Sequence, residues 1–294
     1  MRSKLSLVLA FILTLTLIAA CAPVPIETPA SGGPAEPAAP AAGPAAPAAS
    51  GAKTRFVSSA NFEPPEALHG NPFAPPGISS GARFVWDPLF DFVPVPTMTF
   101  HPMLGETFEE DGITLTVNLR KGVVCNDGTP FTSKDVVSTF NLNFVNNATV
   151  WRYLVKVEAP DDFTVVFTWR EASPILKQMA LDTLINAPYH IYGQWADEAI
   201  PLIEKLGPGG ALDDATTAAR QAIREDLFTF KPPVTEIVGT GAYNMGGVTT
   251  SEMLLTKSPT FWAANNVHFD EFVIMRYVGQ EAYITGAVSG VYDG

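Results

Sequence analysis

Residues 22–52 are almost pure Ala, Pro, Gly and Ser, and this run sets the first limit on what the chain can fold into. It holds no apolar side chain larger than Val24 or Ile26, so it cannot contribute to a core. Proline-rich stretches favour extended polyproline conformations, at about 3.1 Å per residue. The run reads as a semi-rigid stalk, and a folded body is expected only from Lys53 onward, where the composition changes abruptly. With 47% hydrophobic and 11% aromatic residues in 294, the chain has enough apolar material for a sizeable core, which excludes global disorder.

Ahead of the stalk, Arg2 and Lys4 precede an uncharged apolar run from Leu5 to Ala20. That is the pattern of a positive n-region and a hydrophobic h-region, and it is shorter than the roughly 20 residues of a comfortable transmembrane helix. Its end, Leu17-Ile18-Ala19-Ala20-Cys21, resembles the lipobox of bacterial lipoproteins. The resemblance implies a signal peptide over 1–20, a diacylated Cys21 as mature N-terminus, and a tether over 21–53. The alternative is an ordinary signal peptide with a coincidental cysteine. Two acyl chains on one cysteine suffice for stable anchoring, because each buried methylene adds about 0.8 kcal/mol.

The formal net charge is −12, from 30 acidic and 18 basic residues, and losing Arg2 and Lys4 takes it to −14. Such a surface repels phosphate backbones, which argues against nucleic acid as a partner. Two cysteines build neither a disulfide framework nor a thiolate zinc site.

In the body, residues 113–120 alternate so that Ile113, Leu115, Val117 and Leu119 share one face of a half-buried strand. Asn126-Asp127-Gly128-Thr129-Pro130 is turn chemistry. Thr132 or Ser133 then caps a helix carrying Val136, Val137, Phe140 and Phe144 at helical spacing. A second strand is expected over 163–169 and a helix over 173–183 behind Pro174. A helix over 213–230 is capped by Asp213 or Asp214, shows Ala219, Ile223, Leu227 and Phe230 as its stripe, and stops at Pro232-Pro233. Strands at 242–248, 252–257 and 269–277 and a helix at 280–288 complete a mixed α/β pattern with hairpin-like pairs and single crossovers.

Catalytic chemistry finds no support. The histidines, at 69, 101, 190 and 268, include no pair at zinc-binding helical spacing, and His101 and His190 read as partly buried structural residues. There is no Gly-x-Ser-x-Gly elbow and no phosphate-cradling Gly-Lys-Ser/Thr loop. The acid pairs Asp161-Asp162, Asp197-Glu198 and Asp213-Asp214 are expected at turns or helix N-termini, where a carboxylate has a structural task opposite the helix dipole. Cys125, with no histidine beside it in sequence, reads as buried and idle. No metal and no cofactor is implied, and the expectation is a binding protein, not an enzyme.

Several collinear stretches resemble the family 5 extracellular solute-binding proteins of ABC importers, the oligopeptide and dipeptide type. They are Met103-Leu104-Gly105-Glu106, then Glu110 to Val123, then Asp127-Gly128-Thr129-Pro130-Phe131-Thr132 with Asp135-Val136-Val137-Ser138-Thr139-Phe140. Gly239-Thr240-Gly241-Ala242-Tyr243, Phe261-Trp262 and Phe269-Asp270-Glu271 follow in order. The resemblance covers roughly 54–294, with a departure at Cys125, where the family usually carries a bulky aromatic.

The resemblance implies the first lobe of a two-lobed, periplasmic-binding-protein-like (type II) fold. Family members are longer and pass into a second lobe after a segment like Gly290-Val291-Tyr292-Asp293-Gly294, so the second lobe is expected to be absent and 54–294 to be an incomplete first lobe, part of a longer reading frame. It also implies capture of peptides or similar solutes and delivery to ABC permease subunits, on the extracytoplasmic face of a membrane. Lobe-one ligand contacts are expected at Asn61, Phe62 and Glu63 and near the crossover at Asp293. Glu63 would neutralise a cationic group and Phe62 would stack on an apolar side chain; a solvated acid and a core aromatic are the structural alternatives. Gly239 to Gly241 is expected to make a tight turn beneath the cleft. Two other readings stay open: the same family with a sugar, a metal or another cargo, and a one-lobed surface protein without high-affinity binding.

Overall fold

A computed structural model describes residues 53–293 apart from 63–65, 67 and 79. The signal segment, Cys21, the stalk and Glu63 lie outside the described residues. In chain order the elements are β1 (Arg55–Ala60), α1 (Ala82–Val85), β2 (Phe90–Val93), β3 (Thr99–Pro102), β4 (Gly105–Asp111), β5 (Thr114–Leu119), α2 (Ser133–Val145), β6 (Leu154–Asp161), β7 (Thr164–Trp169), α3 (Pro174–Leu181), α4 (Tyr189–Ile203), α5 (Asp214–Thr229), β8 (Tyr243–Val248), β9 (Glu252–Lys257), β10 (Glu271–Arg276) and α6 (Gln280–Val288).

One four-stranded sheet runs β4-β5-β7-β6, antiparallel throughout. Its inner face follows from alternation: Leu115, Val117 and Leu119 on β5 and Val165, Phe167 and Trp169 on β7 are all at most 4% exposed. Phe140 of α2 meets Phe167 edge-on at 4.9 Å, so α2 covers this sheet, and α4 and α5 pack behind α2 in the same hydrophobic cluster. Ile113 departs from the expected stripe. It sits in the turn before β5, 45% exposed, and only its carbonyl is used, accepting from Trp169 N at 2.8 Å.

Thr132 caps α2 and its backbone N–H donates to the Asp135 carboxylate at 2.7 Å. The other oxygen of Asp135 accepts from Tyr189 N at 2.8 Å, so one buried acid ties the start of α2 to the start of α4. Asp213 caps α5 by accepting from Thr216 N at 2.6 Å. The buried stripe of α5 is Thr216, Ile223 and Leu227, whereas Ala219 faces solvent and Phe230 lies just past the helix end. The pair Asp197-Glu198 falls in the middle of α4, not at a turn, on that helix's solvent side.

The second sheet runs β1-β10-β9-β8, with β1 parallel to β10 and the other pairs antiparallel. It carries a separate core of Trp86, Tyr243, Met253, Leu255 and Ile274, among others. Gly239 and Gly241 cross the backbone of α1 here. A Cβ on Gly239 would lie 2.2 Å from the Val85 carbonyl oxygen, and one on Gly241 would lie 2.4 Å from that of Phe84. These glycines serve close backbone approach, and the chain bends at Gly241-Ala242 just before β8.

Candidate functional site

Where a sheet contains parallel strands, ligands characteristically meet their carboxyl ends. The parallel pair β1 and β10 aligns Ala60 with Arg276, so the segments leaving both strands emerge together. Arg276 Nε donates to the Phe62 carbonyl at 2.7 Å and Tyr277 N donates to the Ala60 carbonyl at 3.2 Å. These bonds fix the start of the loop after β1 onto the end of β10.

Asn61 is exposed at this end. Phe62 is 6% exposed, its ring held in the second core, so the core-aromatic alternative describes its position. Asp293 lies elsewhere: its backbone N–H donates to the Val57 carbonyl and its carboxylate accepts from Val57 N, both at 2.7 Å. That places Asp293 along β1 about 10 Å before the loop, at about 3.3 Å per strand residue.

The sequence reading missed Arg276, Tyr277, Tyr283 and Tyr292. The Tyr277 and Tyr283 rings are 5.1 Å apart and those of Tyr283 and Tyr292 are 6.2 Å apart, forming an aromatic row from the end of β10 over α6 to the segment before Asp293. Gly286 permits this row, since a Cβ there would lie 2.5 Å from the Tyr292 hydroxyl. A guanidinium and such rings on one stretch of chain suit a ligand with carboxylate or carbonyl groups and apolar faces. The usable sequence signal was the tyrosine spacing past an apolar strand that ends in arginine.

The histidines take no part in this arrangement. His101, His190 and His268 are exposed and His69 is buried, so the partly buried positions expected for His101 and His190 are overturned. His190 Nε2 lies 2.8 Å from an Asp127 carboxylate oxygen, an exposed pair that joins the 126–130 turn to α4. Burial raises the Asp127 carboxyl, but the Thr129 N–H and His190 outweigh it and hold it below the usual range. Among the described residues no group of three or more His, Cys, Asp or Glu side chains is placed to hold a metal ion. Among them, too, no helix is long and apolar enough to cross a membrane.

Solved structures give the same fold. The periplasmic oligopeptide-binding protein of a Thermotoga maritima oligopeptide ABC transporter, bound to mannohexaose, superposes with a TM-score of 0.58 at 21% identity, over 82% of this chain and 40% of that one. The oligopeptide-binding protein AppA from Bacillus subtilis, in complex with a nonapeptide, gives 0.59 at 18% identity, over 81% and 43%. NikZ from Campylobacter jejuni, in complex with Ni(L-His), gives 0.55 at 15% identity, over 82% and 42%. The chain thus spans about two fifths of the length of these structures. The sequence profile of the bacterial extracellular solute-binding proteins, family 5 Middle, matches residues 99–293. The mixed α/β lobe anticipated from the collinear motifs is the one observed, and the chain belongs to family 5 of the bacterial extracellular solute-binding proteins.

Proposed function

We propose that this chain is a substrate-capturing part of an ABC importer that takes peptides, held to the membrane through a diacylated Cys21 and the Ala/Pro-rich tether. The observation that carries the reading is the carboxyl end of the β1/β10 pair, where Asn61, Arg276 and the tyrosine row stand in a family 5 lobe. A peptide offers a terminal carboxylate for Arg276, backbone amides for Asn61 and side-chain faces for Tyr277 and Tyr283. Glu63 neutralises a cationic group of the ligand, and Asp293 contributes near the crossover. The buried ring of Phe62 favours an anchoring role for that residue over stacking. Loaded protein then docks on the permease pair. A sugar is the second reading, because aromatic faces and amides suit pyranose rings as well.

Calorimetry of the full chain tests the reading. Short peptides are expected to bind with a negative heat-capacity change, and Arg276→Ala to weaken binding about tenfold, the scale of one charge-assisted hydrogen bond. No heat from any peptide pool, or heat only from oligosaccharides, overturns the peptide class. The anchor is tested separately: Cys21→Ser should release the protein from membranes and abolish palmitate labelling. Retention and labelling of that variant would overturn acylation at Cys21.

A further inference from the structure

A cleft of about 190 Å³ between α2 and α4, remote in sequence from the β1/β10 end, has the composition of a ligand site. Its floor includes Ser138, 1% exposed, whose hydroxyl has no hydrogen-bond partner among the described residues. A helical serine or threonine normally bonds back to the carbonyl four residues earlier, as the neighbouring Thr139 does to Asp135 at 2.9 Å. Ser138 does not, and a buried hydroxyl left unpaired costs free energy that a ligand atom would recover. Beside it Asn141, 4% exposed, uses its amide N–H to hold the Ala196 carbonyl at 3.2 Å.

At the mouth stand two opposite charges. Lys134 lies over the Tyr189 ring, with Nζ 5.6 Å from its centre, and makes no ion pair among the described residues. Asp197 accepts from the Tyr189 hydroxyl at 2.8 Å and likewise has no cationic partner among them. Tyr189 lies between the ammonium and the carboxylate. Apolar walls come from Val137 and Ala196.

We infer that this cleft binds a small zwitterionic amino acid, its carboxylate between Lys134 and the Ser138 hydroxyl one helical turn on, its ammonium toward Asp197 and Tyr189, and a short apolar side chain against Val137 and Ala196. Lone carboxylates and lone amines satisfy only one of the two charges. The cavity volume limits the side chain to a few carbons. This site is independent of the peptide reading, since it uses no residue of the β1/β10 end.

The test is a titration of the isotope-labelled full chain with L-alanine, followed by amide chemical shifts. Saturable shifts are expected at Ser138 and Ala196. Lys134→Gln and Asp197→Asn, both on exposed side chains, should each weaken binding about tenfold. Propionate and ethylamine should each bind at least about tenfold more weakly than L-alanine, for want of one charge-assisted contact. Ser138→Ala should leave the melting temperature unchanged or higher yet weaken L-alanine. An absence of shifts up to the solubility limit, or equal binding by propionate, overturns the site, as does a Ser138→Ala variant that binds unchanged.

Discussion

The indole N–H of Trp262 donates to the buried carboxylate of Asp87 at 3.1 Å, while the Arg120 guanidinium lies over the same indole at 4.1 Å. Arg120 is in turn held by the Met103 carbonyl at 2.8 Å and faces Glu106 at 3.9 Å. The Phe261-Trp262 motif therefore joins the segment after α1 to the end of β5. Burial pushes the Asp87 carboxyl up to about 7; the Trp262 bond opposes this and Asp91, itself paired with Arg83, adds to it. The folded value lies above the unfolded one, so the favourable contribution is full below about pH 4 and is lost as pH rises through about 7. Asp87→Asn should flatten stability between those limits, by on the order of 4 kcal/mol at most. Urea midpoints of both proteins across that range check it, and parallel pH profiles would remove Asp87 as the source.

Gly239 and Gly241 lie against the carbonyls of Val85 and Phe84, which cannot move as a flexible side chain would. Gly241 N also donates to the Val85 carbonyl at 2.9 Å, fixing the crossing. Replacing either glycine by alanine should cost about 1–3 kcal/mol or more, the scale of overpacking against rigid neighbours. Gly207→Ala, whose nearest contact would be an ordinary 3.4 Å, should cost under about 1 kcal/mol. Denaturant unfolding of the three variants measures this, and equal losses would refute the close-approach argument.

Cys125 is 2% exposed, and burial pushes its thiol up to about 12, with the nearby charges of Asp135 and Asp127 adding to the rise. Thiolate is the reactive form, so the folded protein should present no reactive cysteine in its body. In a Cys21→Ser chain, Ellman's reagent at mildly alkaline pH should release no colour until denaturant is added, then one equivalent. Rapid reaction of the folded chain would contradict the burial.

Much of the fold was legible because its strands alternate and its helices announce their caps: β5, β7, α2, α5 and α6 fall close to their expected places. The helix α4 was not read, although Tyr192, Trp195, Ala196, Ala199, Leu202 and Ile203 repeat at helical spacing. Gly193 and Pro201 interrupt it with residues that normally break helices, and tertiary packing on α2 overrides them. Ile113 and Ala219 fit their stripes in sequence but lie in the turn before β5 and on the outer face of α5. At the candidate site, Arg276 reaches Phe62 across 214 residues, a contact made only by the parallel pairing of β1 with β10. No local pattern carries such a relationship.

Asn71 is fully buried and uses both ends of its amide. Its N–H₂ group donates to the carbonyls of Leu227 and Phe230 at 2.8 and 2.9 Å, and its oxygen accepts from Phe73 N at 2.9 Å. It thereby satisfies the Phe230 carbonyl, which no further helical turn can reach, and adds a second donor to the Leu227 carbonyl, which already accepts from Phe230 N, just ahead of Pro232-Pro233. Asn71→Ala strands the Phe230 carbonyl and the Phe73 N–H, while the Leu227 carbonyl keeps the Phe230 N–H at 3.2 Å, and should cost on the order of 3 kcal/mol. Asn71→Asp keeps the acceptor for Phe73 but turns a carboxylate toward two carbonyl oxygens, so it should cost more than alanine at neutral pH and recover part of the loss as the medium is acidified. Urea unfolding at neutral and acidic pH separates the two effects. An aspartate variant milder than the alanine one at neutral pH would mean that the acceptor, and not the pair of donors, holds α5 to the chain before α1.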